Sequence, residues 1–436
     1  MSVSQFSLLK TRRFLPLFIV QFLTAFNDNA FKNAFLIWFT YDLVQYSTIS
    51  APVMVNIAAA LFIVPFFLFS SIAGQLADRF DKAILTRYLK YAEIILMILA
   101  AACFYFKTVT GLLIVLFFLG VQATLFGPIK YSLLPEQLKD NELIAGNAFI
   151  EGGTFLAILL GTIFGGLLVM GSFGREAIAI TLILFATIGL ITSYSMPLAK
   201  KRQVVKSTPF SWNIVTGTMQ IIAYSRETKT VFYSIIGISW FWLVGIVFLS
   251  QFPIYVKDVL HADEVIVTLL LTIFSLGIGI GSLLCNRLLD GKIDGKMVPY
   301  GALGMTLFIF LFTLGSHFYK HTYVEQPILM LFDFLRFGFP AYLILLGLIG
   351  LAICGGIYIV PLYAIMQHRS NQAHMARVVG ANNVFNALFM VIGSVGTVGL
   401  YALNLSAVEI LFLVGLFNVG VFFVVQHIVR RERKHA

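Results

Sequence analysis

A carboxylate and a cation lie within one long apolar stretch near the start of the chain. Asp28 and Lys32 fall in the middle of residues 14–43, and Asn27 and Asn29 flank the aspartate. An aspartate at the centre of a membrane helix costs about 2.5 to 3.5 kcal/mol, so such residues usually face a bundle interior or a watery cavity. The stretch therefore predicts a site for a polar substrate or an ion. The alternative is a local ion pair between Asp28 and Lys32, four residues apart.

Two more lysines lie inside other apolar stretches. Lys130, followed by Tyr131, has no acidic residue at helical spacing until Pro135 has been passed. It is a candidate for attracting an anionic group of a substrate, with snorkelling towards the lipid headgroups as the alternative. Lys90 and Glu93 are three residues apart, which predicts a structural ion pair within one helix.

The two halves of the chain share a pattern in which a proline precedes two polar residues that are four apart. Residues with this spacing project from one face of a helix. They either line a cavity or form hydrogen bonds with a neighbouring helix. The pattern comprises Pro128, Asn147 and Glu151 in the first half and Pro361, Asn382 and Asn386 in the second.

The composition is that of a membrane protein. The 436 residues are 59% hydrophobic and only 11% charged, whereas soluble domains carry about 25% charged residues. A membrane helix needs about 20 apolar residues, and the chain offers a succession of such runs. We predict an all-α fold with twelve membrane helices, at residues 14–43, 50–76, 83–106, 110–135, 144–171, 175–197, 230–257, 262–288, 297–318, 340–366, 380–403 and 408–430.

One long polar connector divides these helices into two sets of six. We predict an N-terminal six-helix bundle over residues 1–197, a cytoplasmic linker over 198–229 and a C-terminal six-helix bundle over 230–436. Many secondary transporters use such related halves for alternating access to a site near the membrane midplane. Apolar residues at helical spacing in the linker predict an amphipathic helix on the inner membrane surface, with an ordinary linker helix as the alternative. They are Trp212, Val215, Met219 and Ile222.

The net charge of +10 is concentrated in alternate connectors. Twenty-two of the 30 Lys and Arg residues fall on one side of the predicted helices. This bias marks the cytoplasmic side of a membrane protein, so the charge does not indicate a nucleic-acid partner. The first apolar run is too long for a signal peptide and is expected to remain as an anchor. We therefore predict a multi-pass membrane protein with both termini in the cytoplasm.

The connector after the second predicted helix has a recognisable pattern of glycine and charged residues. Gly74, Asp78, Arg79 and Lys82 resemble the signature connector of the major facilitator superfamily. Gly74 permits close contact between helices, and Asp78 with the following cations can form a charge network that breaks when the protein changes conformation. The alternative is a solvated charged turn without a gating role.

The sequence offers no pattern for enzyme chemistry. It contains no GxxxxGK[ST] nucleotide loop, no GxSxG elbow and no cysteine–histidine grouping with metal-ligand spacing. The glycine run from Gly277 to Gly281 lies in an apolar helix and is explained by small-residue packing. Cys103, Cys285 and Cys354 lie singly within apolar helices. We expect a non-enzyme that uses no cofactor and no metal.

With these motifs in view, the chain closely resembles the bacterial lysophospholipid transporters of the major facilitator superfamily. The likeness covers nearly the whole chain. Its residues include Gln21, Phe22, Leu23, Ala25, Phe26, Asp28, Asn29, Ala30, Gly74, Gln75, Ala77, Asp78, Pro128, Lys130, Tyr131, Glu136, Asn147, Glu151, Gly355, Gly356, Val360, Pro361, Leu362, Gln367, Gly380 and Ala381. The resemblance implies inward flipping of lysophosphatidylethanolamine and related lysolipids from the outer to the inner leaflet of the bacterial inner membrane.

The resemblance has one departure and several consequences. Members of that family carry an arginine in the seventh helix, whereas residues 239–253 here contain no cation and Gln251 is a neutral hydrogen-bonding residue nearby. The resemblance implies a lysophospholipid substrate and an acyltransferase with acyl-carrier-protein synthetase activity, here expected as a separate partner. The remaining expected partners are membrane lipids, and we expect a monomer.

Our hypothesis for the site is that Asp28 binds the ethanolamine ammonium with help from its flanking asparagines, while Lys130 attracts the phosphate. The candidate substrate-binding residues are Asp28, Asn27, Asn29, Lys32, Lys130, Tyr131, Asn147, Glu151, Gln251, Asn382 and Asn386, and the candidate gating residues are Gly74, Asp78, Arg79 and Lys82. The alternatives are a proton-coupled exporter of a drug or metabolite, a lipid-modifying enzyme and a non-transporting scaffold for an acyltransferase.

Overall fold

A computed structural model of the chain describes residues 5–44, 49–198, 210–322 and 328–435. These residues form helices and connectors, with one isolated β-bridge between Ala262 and Leu329. The α-helices are α1 Leu15–Trp38, α2 Ala51–Arg79, α3 Lys82–Tyr105, α4 Val109–Gln137, α5 Asp140–Val169, α6 Gly174–Ser193, α7 Ile214–Arg226, α8 Lys229–Tyr255, α9 Glu264–Leu288, α10 Met297–Thr322, α11 Leu331–Arg336, α12 Phe339–Arg369, α13 Met375–Ala402 and α14 Ala407–His435.

Within the described residues, 11 helices are long and apolar enough to cross a membrane. They are α2 to α6, α8 to α10 and α12 to α14. Helix α1 corresponds to the first predicted span; it has 24 residues but carries the polar group around Asp28, which lowers its hydropathy. The predicted twelve-helix, all-α fold is confirmed in this sense, and α7 and α11 are additional short helices.

Helix termini follow ordinary capping chemistry. The Asp81 side chain accepts hydrogen bonds from the backbone N–H groups of Ala83 and Ile84 at 2.9 and 3.1 Å, which fixes the start of α3. Two helices end in a π-helical turn, Phe39–Leu43 after α1 and Val256–Leu260 after α8. The second turn is closed by His261, a non-glycine residue in the left-handed region with φ 48°.

The chain divides into two compact units. Unit 1 comprises Met1–Glu142, Leu156–Glu227 and Ser370–Val384, and unit 2 comprises the rest of the chain from Leu143 onward. The boundaries cut α5 after Glu142 and again after Phe155, so Leu143–Phe155 pack in unit 2. They cut α13 after Val384, so the first part of α13 packs in unit 1. The division of the chain into bundles at residues 197 and 230 stays a prediction.

The glycine run in α9 has the packing role that the sequence predicted. A Cβ at Gly277 would lie 2.5 Å from the Cβ of Ala352, and a Cβ at Gly281 would overlap the backbone of Ile353. Helices α9 and α12 therefore approach one another closely within unit 2. The thiol of Cys354 fills the space beside another glycine, Gly304, as expected for a packing cysteine.

The linker contains α7, which packs on unit 1 through small and apolar residues. A Cβ at Gly217 would overlap the side chain of Ser71 in α2, and Ile221 packs against Ala381 and Val384 of α13. On other faces of the linker, Trp212, Val215 and Met219 are exposed. The basic stretch from Lys200 to Lys206 lies outside the described residues, and so do the side chains of the basic C-terminus.

Candidate functional site

The Asp28 carboxylate is buried in α1 and forms no ion pair with a described cation, although the charges of Lys32 and Lys90 act on it. It is 8% exposed, and its Oδ1 is enclosed without a hydrogen-bond partner. Among the described residues no hydrogen bond or ion pair involves this side chain. A buried charged group is costly unless it is paired. Asp28 is therefore available to a ligand or a proton.

Lys32 does not form the local ion pair with Asp28 that the spacing allowed. Its Nζ instead donates to Oδ1 of Asn29 at 3.3 Å and lies 5.8 Å from the centre of the Phe62 ring. The Asn29 amide in turn donates to the backbone oxygen of Ala25 at 2.8 Å. Asp28, Asn29 and Lys32 thus lie on adjacent turns of one helix while the carboxylate and the ammonium remain unpaired with each other.

A second buried carboxylate, Glu93, has its hydrogen-bonding capacity in use. Its Oε2 accepts from Nζ of Lys90 at 2.6 Å and from Nε2 of Gln122 at 2.8 Å. Its Oε1 accepts from Nδ2 of Asn27 at 3.2 Å, and Lys90 also donates to the hydroxyl of Thr24. All five side chains are at most 4% exposed. The predicted structural pair of Lys90 and Glu93 is formed, and it joins α1, α3 and α4.

Asn27 belongs to this hydrogen-bond network, which gives it a structural role. Its Nδ2 donates to Glu93 and to the backbone oxygen of Leu182 in α6 at 3.1 Å, and the side chain is fully buried. The amide that the sequence assigned to the substrate beside Asp28 is therefore bonded into the packing of unit 1. Asn27 helps to position α1, and through it Asp28.

The candidate cation of α4 lies beside an aromatic ring. Nζ of Lys130 is 4.5 Å from the centre of the Tyr131 ring, and Tyr131 is buried. Near the end of the same helix, Glu136 accepts from Nζ of Lys82 at 2.6 Å. Lys82, predicted as a gating residue, thus ties α3 to α4 within unit 1.

In unit 2 the amides of Asn147 and Gln367 are paired reciprocally. Nδ2 of Asn147 donates to Oε1 of Gln367 at 2.7 Å, and Nε2 of Gln367 donates to Oδ1 of Asn147 at 3.0 Å. Both residues are fully buried, as is Glu151 one turn further along α5. We call this contact the amide bridge. It joins α5 of the first half of the sequence to α12 of the second half, which favours the interhelical role of Asn147.

The remaining predicted site residues of the second half are placed separately. Asn382 is fully buried, and neither its Oδ1 nor its Nδ2 has a hydrogen-bond partner. Asn386 accepts from the hydroxyl of Ser239 in α8 at 2.8 Å. Gln251, also in α8, accepts a hydrogen bond from the hydroxyl of Tyr401 at the end of α13. Asn386 and Gln251 therefore fasten α8 to α13 within unit 2.

The connector after α2 holds the start of α13. The Asp78 carboxylate accepts from the backbone N–H groups of Ala376 and Arg377 at 3.0 and 3.3 Å, and Nε of Arg377 lies 3.7 Å from it. A Cβ at Gly74 would lie 2.8 Å from the Cα of Arg377, so only glycine permits this approach. A carboxylate at a helix N-terminus is stabilised by the free N–H groups and the helix dipole. We call this contact the Asp78 latch.

Two other contacts lie at the same end of these helices. The Arg79 guanidinium is 5.0 Å from the centre of the Phe210 ring, so it contacts the linker. Before α1, Arg13 forms a two-point ion pair with Glu142 at 2.5 and 2.6 Å. This hydrogen bonding raises the pKa of Arg13 above its usual value.

Sequence reasoning missed two partners in these contacts. Gln367 is singled out only by the resemblance, and Arg377 is one of the 22 basic residues predicted on the cytoplasmic side. Each partner lies 220 or more residues from the group that it contacts. Among the described residues, no group of three or more His, Cys, Asp or Glu side chains is arranged to hold a metal ion.

Comparisons with known proteins assign the fold and the class. A model of the Major Facilitator Superfamily matches residues 17–394. The chain is 28% identical over 371 residues to the lysophospholipid transporter LplT of Enterobacter sp. (strain 638), covering 83% of this chain and 81% of that protein. It is also 28% identical over 379 residues to the protein of the same name from Escherichia coli O1:K1, with 84% and 81% covered.

Solved structures agree at the level of the fold. The human organic anion transporter MFSD10 (TETRAN) matches with a TM-score of 0.75 and 12% identity, covering 95% of this chain and 99% of that one. The proton:xylose symporter XylE matches with a TM-score of 0.69 and 12% identity, covering 97% and 96%. The family match, the relatives and the fold are those of transporters rather than enzymes. The chain therefore belongs to the Major Facilitator Superfamily of membrane transporters.

Proposed function

We propose that this protein is a lysophospholipid transporter that moves lysophosphatidylethanolamine and related lysolipids from the outer to the inner leaflet of the bacterial inner membrane. The relatives at 28% identity are named lysophospholipid transporters, and the alignments cover more than four-fifths of each chain. A lysolipid has a small charged head and one tail, so it needs a polar contact inside an otherwise apolar set of helices.

The contrast between two buried carboxylates of unit 1 supports this function best. Glu93 is saturated by Lys90, Gln122 and Asn27, and therefore serves the structure. Asp28, on the same helix as Asn27, has an enclosed oxygen without a partner. Carboxylates that remain unpaired inside a membrane usually serve a substrate or ion. The ethanolamine ammonium supplies the missing charge and up to three hydrogen-bond donors.

The phosphate of the same headgroup needs a cation. Lys32 is half-buried, and its ammonium has only the 3.3 Å bond to Asn29 and the Phe62 ring nearby. Lys130 is the second candidate, held over Tyr131. Gln251 replaces a cation of the related transporters but is bonded to Tyr401, so we assign the phosphate to the lysines of unit 1.

Alternating access gives the amide bridge and the Asp78 latch a role in transport. Each contact joins a helix of the first half of the sequence to a helix of the second half. Separation of α5 from α12 breaks the amide bridge, and separation of α2 from α13 breaks the Asp78 latch. Because the Asp78 latch is a charged contact and the amide bridge is neutral, the two make different contributions to the conformational equilibrium.

The direct test is reconstitution of the purified protein in liposomes with fluorescent lysophosphatidylethanolamine in the outer leaflet. The proposal expects protein-dependent movement of this lipid to the inner leaflet, and much less movement of the two-tailed lipid with the same head. Protein-containing liposomes that move lysolipid no faster than empty ones would contradict it. If such protein still bound an acyltransferase, the scaffold alternative would be supported.

An unpaired buried carboxylate is also what a proton-coupled exporter would require. Asp28 is therefore the observation that favours this second candidate as well. Lysolipid movement measured with and without an imposed pH gradient separates them. An exporter of another cargo would acidify or alkalinise the lumen when that cargo is supplied, without moving lysolipid. For the lysolipid transporter, we further propose cytoplasmic termini and a separate acyltransferase partner.

A further inference from the structure

A cavity with charged walls lies in unit 2 and is lined by none of the candidate substrate-binding residues, although Tyr401 in its wall donates to Gln251. Its volume is about 280 Å³. It is formed where α8, α10 and α13 end and α14 begins. The residues that matter here are Asp258, in the π-helical turn after α8; His317 and Lys320 of α10; and Glu409 of α14. π-Helical segments are rare, and those that occur within α-helices are often found at functional sites.

The charged groups of this cavity form no ion pair with one another, although Lys320 attracts the Glu409 carboxylate. Among the residues that the structure describes, Asp258 and Lys320 have no hydrogen bond and no ion pair. Glu409 uses one oxygen, Oε2, to accept from the backbone N–H and the hydroxyl of Ser406, both at 2.7 Å. Two carboxylates and one ammonium thus line the cavity. The cavity therefore suits a ligand that has both a cationic and an anionic group, with the cation favoured.

Apolar, exposed side chains continue from the charged ones along the same helix faces. Leu314 lies three residues before His317 in α10, and Phe412 lies three residues after Glu409 in α14. Residues three apart are neighbours on a helix surface. Leu314 and Phe412 are both 46% exposed, and Ile254, which lines the cavity from α8, is 37% exposed. The charged cavity thus adjoins an exposed apolar surface, an arrangement that matches the polar head and apolar tails of a phospholipid.

We propose that this cavity binds an ethanolamine phospholipid of the surrounding membrane, with the ammonium at Asp258 and Glu409, the phosphate at Lys320 and the acyl chains along the exposed apolar faces. A divalent cation fits less well, since the described residues do not arrange three ligating side chains at any point. A soluble zwitterion would leave the adjoining apolar surface uncovered. The lipid here is a resident of the membrane and not the transported cargo.

Native mass spectrometry of the detergent-solubilised full chain tests this site. Phosphatidylethanolamine and phosphatidylglycerol with identical acyl chains are titrated in parallel, and the bound fractions are compared. The Asp258→Asn variant is expected to lower binding of the ethanolamine lipid about threefold and to leave the glycerol lipid unchanged, because exposed ion pairs are weak. The Lys320→Gln variant is expected to lower binding of both lipids by a similar factor.

Matched control variants come from two exposed residues outside the cavity, Glu176 in the first turn of α6 and Lys107 between α3 and α4. Glu176→Gln and Lys107→Gln are expected to bind both lipids like the unmodified protein. The proposal is overturned if Asp258→Asn binds both lipids normally, if Glu176→Gln loses the preference equally, or if glycerophosphoethanolamine binds as tightly as the lipid.

Discussion

Replacement of Gln367 by methionine should weaken the amide bridge and shift the conformational equilibrium. Gln367→Met keeps the length of the side chain but removes the two hydrogen bonds, at 2.7 and 3.0 Å, to Asn147. Nδ2 of Asn147 retains its 3.0 Å bond to the backbone oxygen of Leu143, whereas its Oδ1 loses the Gln367 donor. Both residues are fully buried, so water does not replace the lost partner while the helices stay together.

The magnitude follows from the cost of an unsatisfied buried acceptor. Removal of one partner of a buried hydrogen bond costs about 1 to 3 kcal/mol, and we take about 2 kcal/mol for this bridge. Since about 1.36 kcal/mol corresponds to a factor of ten, the equilibrium should move about 30-fold towards the conformation in which α5 and α12 separate. The double variant Asn147→Leu with Gln367→Met leaves no amide unpaired at the bridge and should lie closer to the unmodified protein.

Thiol labelling measures this shift. The three native cysteines, Cys103, Cys285 and Cys354, are first replaced. A single cysteine is then introduced at position 382, where Asn382 is fully buried in this structure. Its rate of reaction with a water-soluble maleimide is measured in nanodiscs. Gln367→Met should increase the labelling rate by up to about 30-fold. The exposed Gln220, changed to methionine in the same background, is the control. Equal labelling rates in these two variants would refute the reasoning.

Two further outcomes are expected. Asp78→Asn removes the charge that faces Arg377 and the α13 N-terminus, so labelling at position 382 should accelerate several-fold, whereas Glu176→Gln, which removes an exposed carboxylate at the start of α6, should have little effect; equal effects would contradict the assignment of the latch to Asp78. Glu93→Gln leaves Lys90 buried without its counter-charge and should cost about 3 to 5 kcal/mol of stability, seen as a lower thermal unfolding temperature than that of Glu176→Gln. An unchanged unfolding temperature would show that Lys90 is neutral or hydrated.

The helices and the structural ion pair could be predicted from local patterns. The apolar runs predicted all twelve membrane helices. They include α1, whose polar residues make it less apolar than the other 11. The spacing of Lys90 and Glu93 predicted their ion pair because side chains three residues apart are neighbours on one helix face. These are relations within one helix.

Tertiary partners could not be predicted in the same way. Asp28 and Lys32 have favourable spacing, yet the lysine bonds to Asn29 and leaves the carboxylate unpaired. Asn27 belongs to the polar triplet around Asp28, but its amide is hydrogen-bonded to Glu93 and to a backbone oxygen of α6. Which face of α1 meets α3 and α6 depends on helix packing, which periodicity does not encode. The amide bridge and the Asp78 latch depend on contacts between distant segments for the same reason.

Lysolipid movement by the Asp28→Asn variant is the most direct measurement of the central claim. The change keeps the shape of the side chain and removes a buried charge that has no hydrogen bond or ion pair among the described residues. Hydrogen bonds to charged groups contribute about 1.5 to 3 kcal/mol, so movement of lysophosphatidylethanolamine should fall by about 10- to 100-fold relative to Glu176→Gln at matched reconstitution. Movement of the lipid at the unmodified rate by Asp28→Asn would show that this carboxylate does not bind the headgroup.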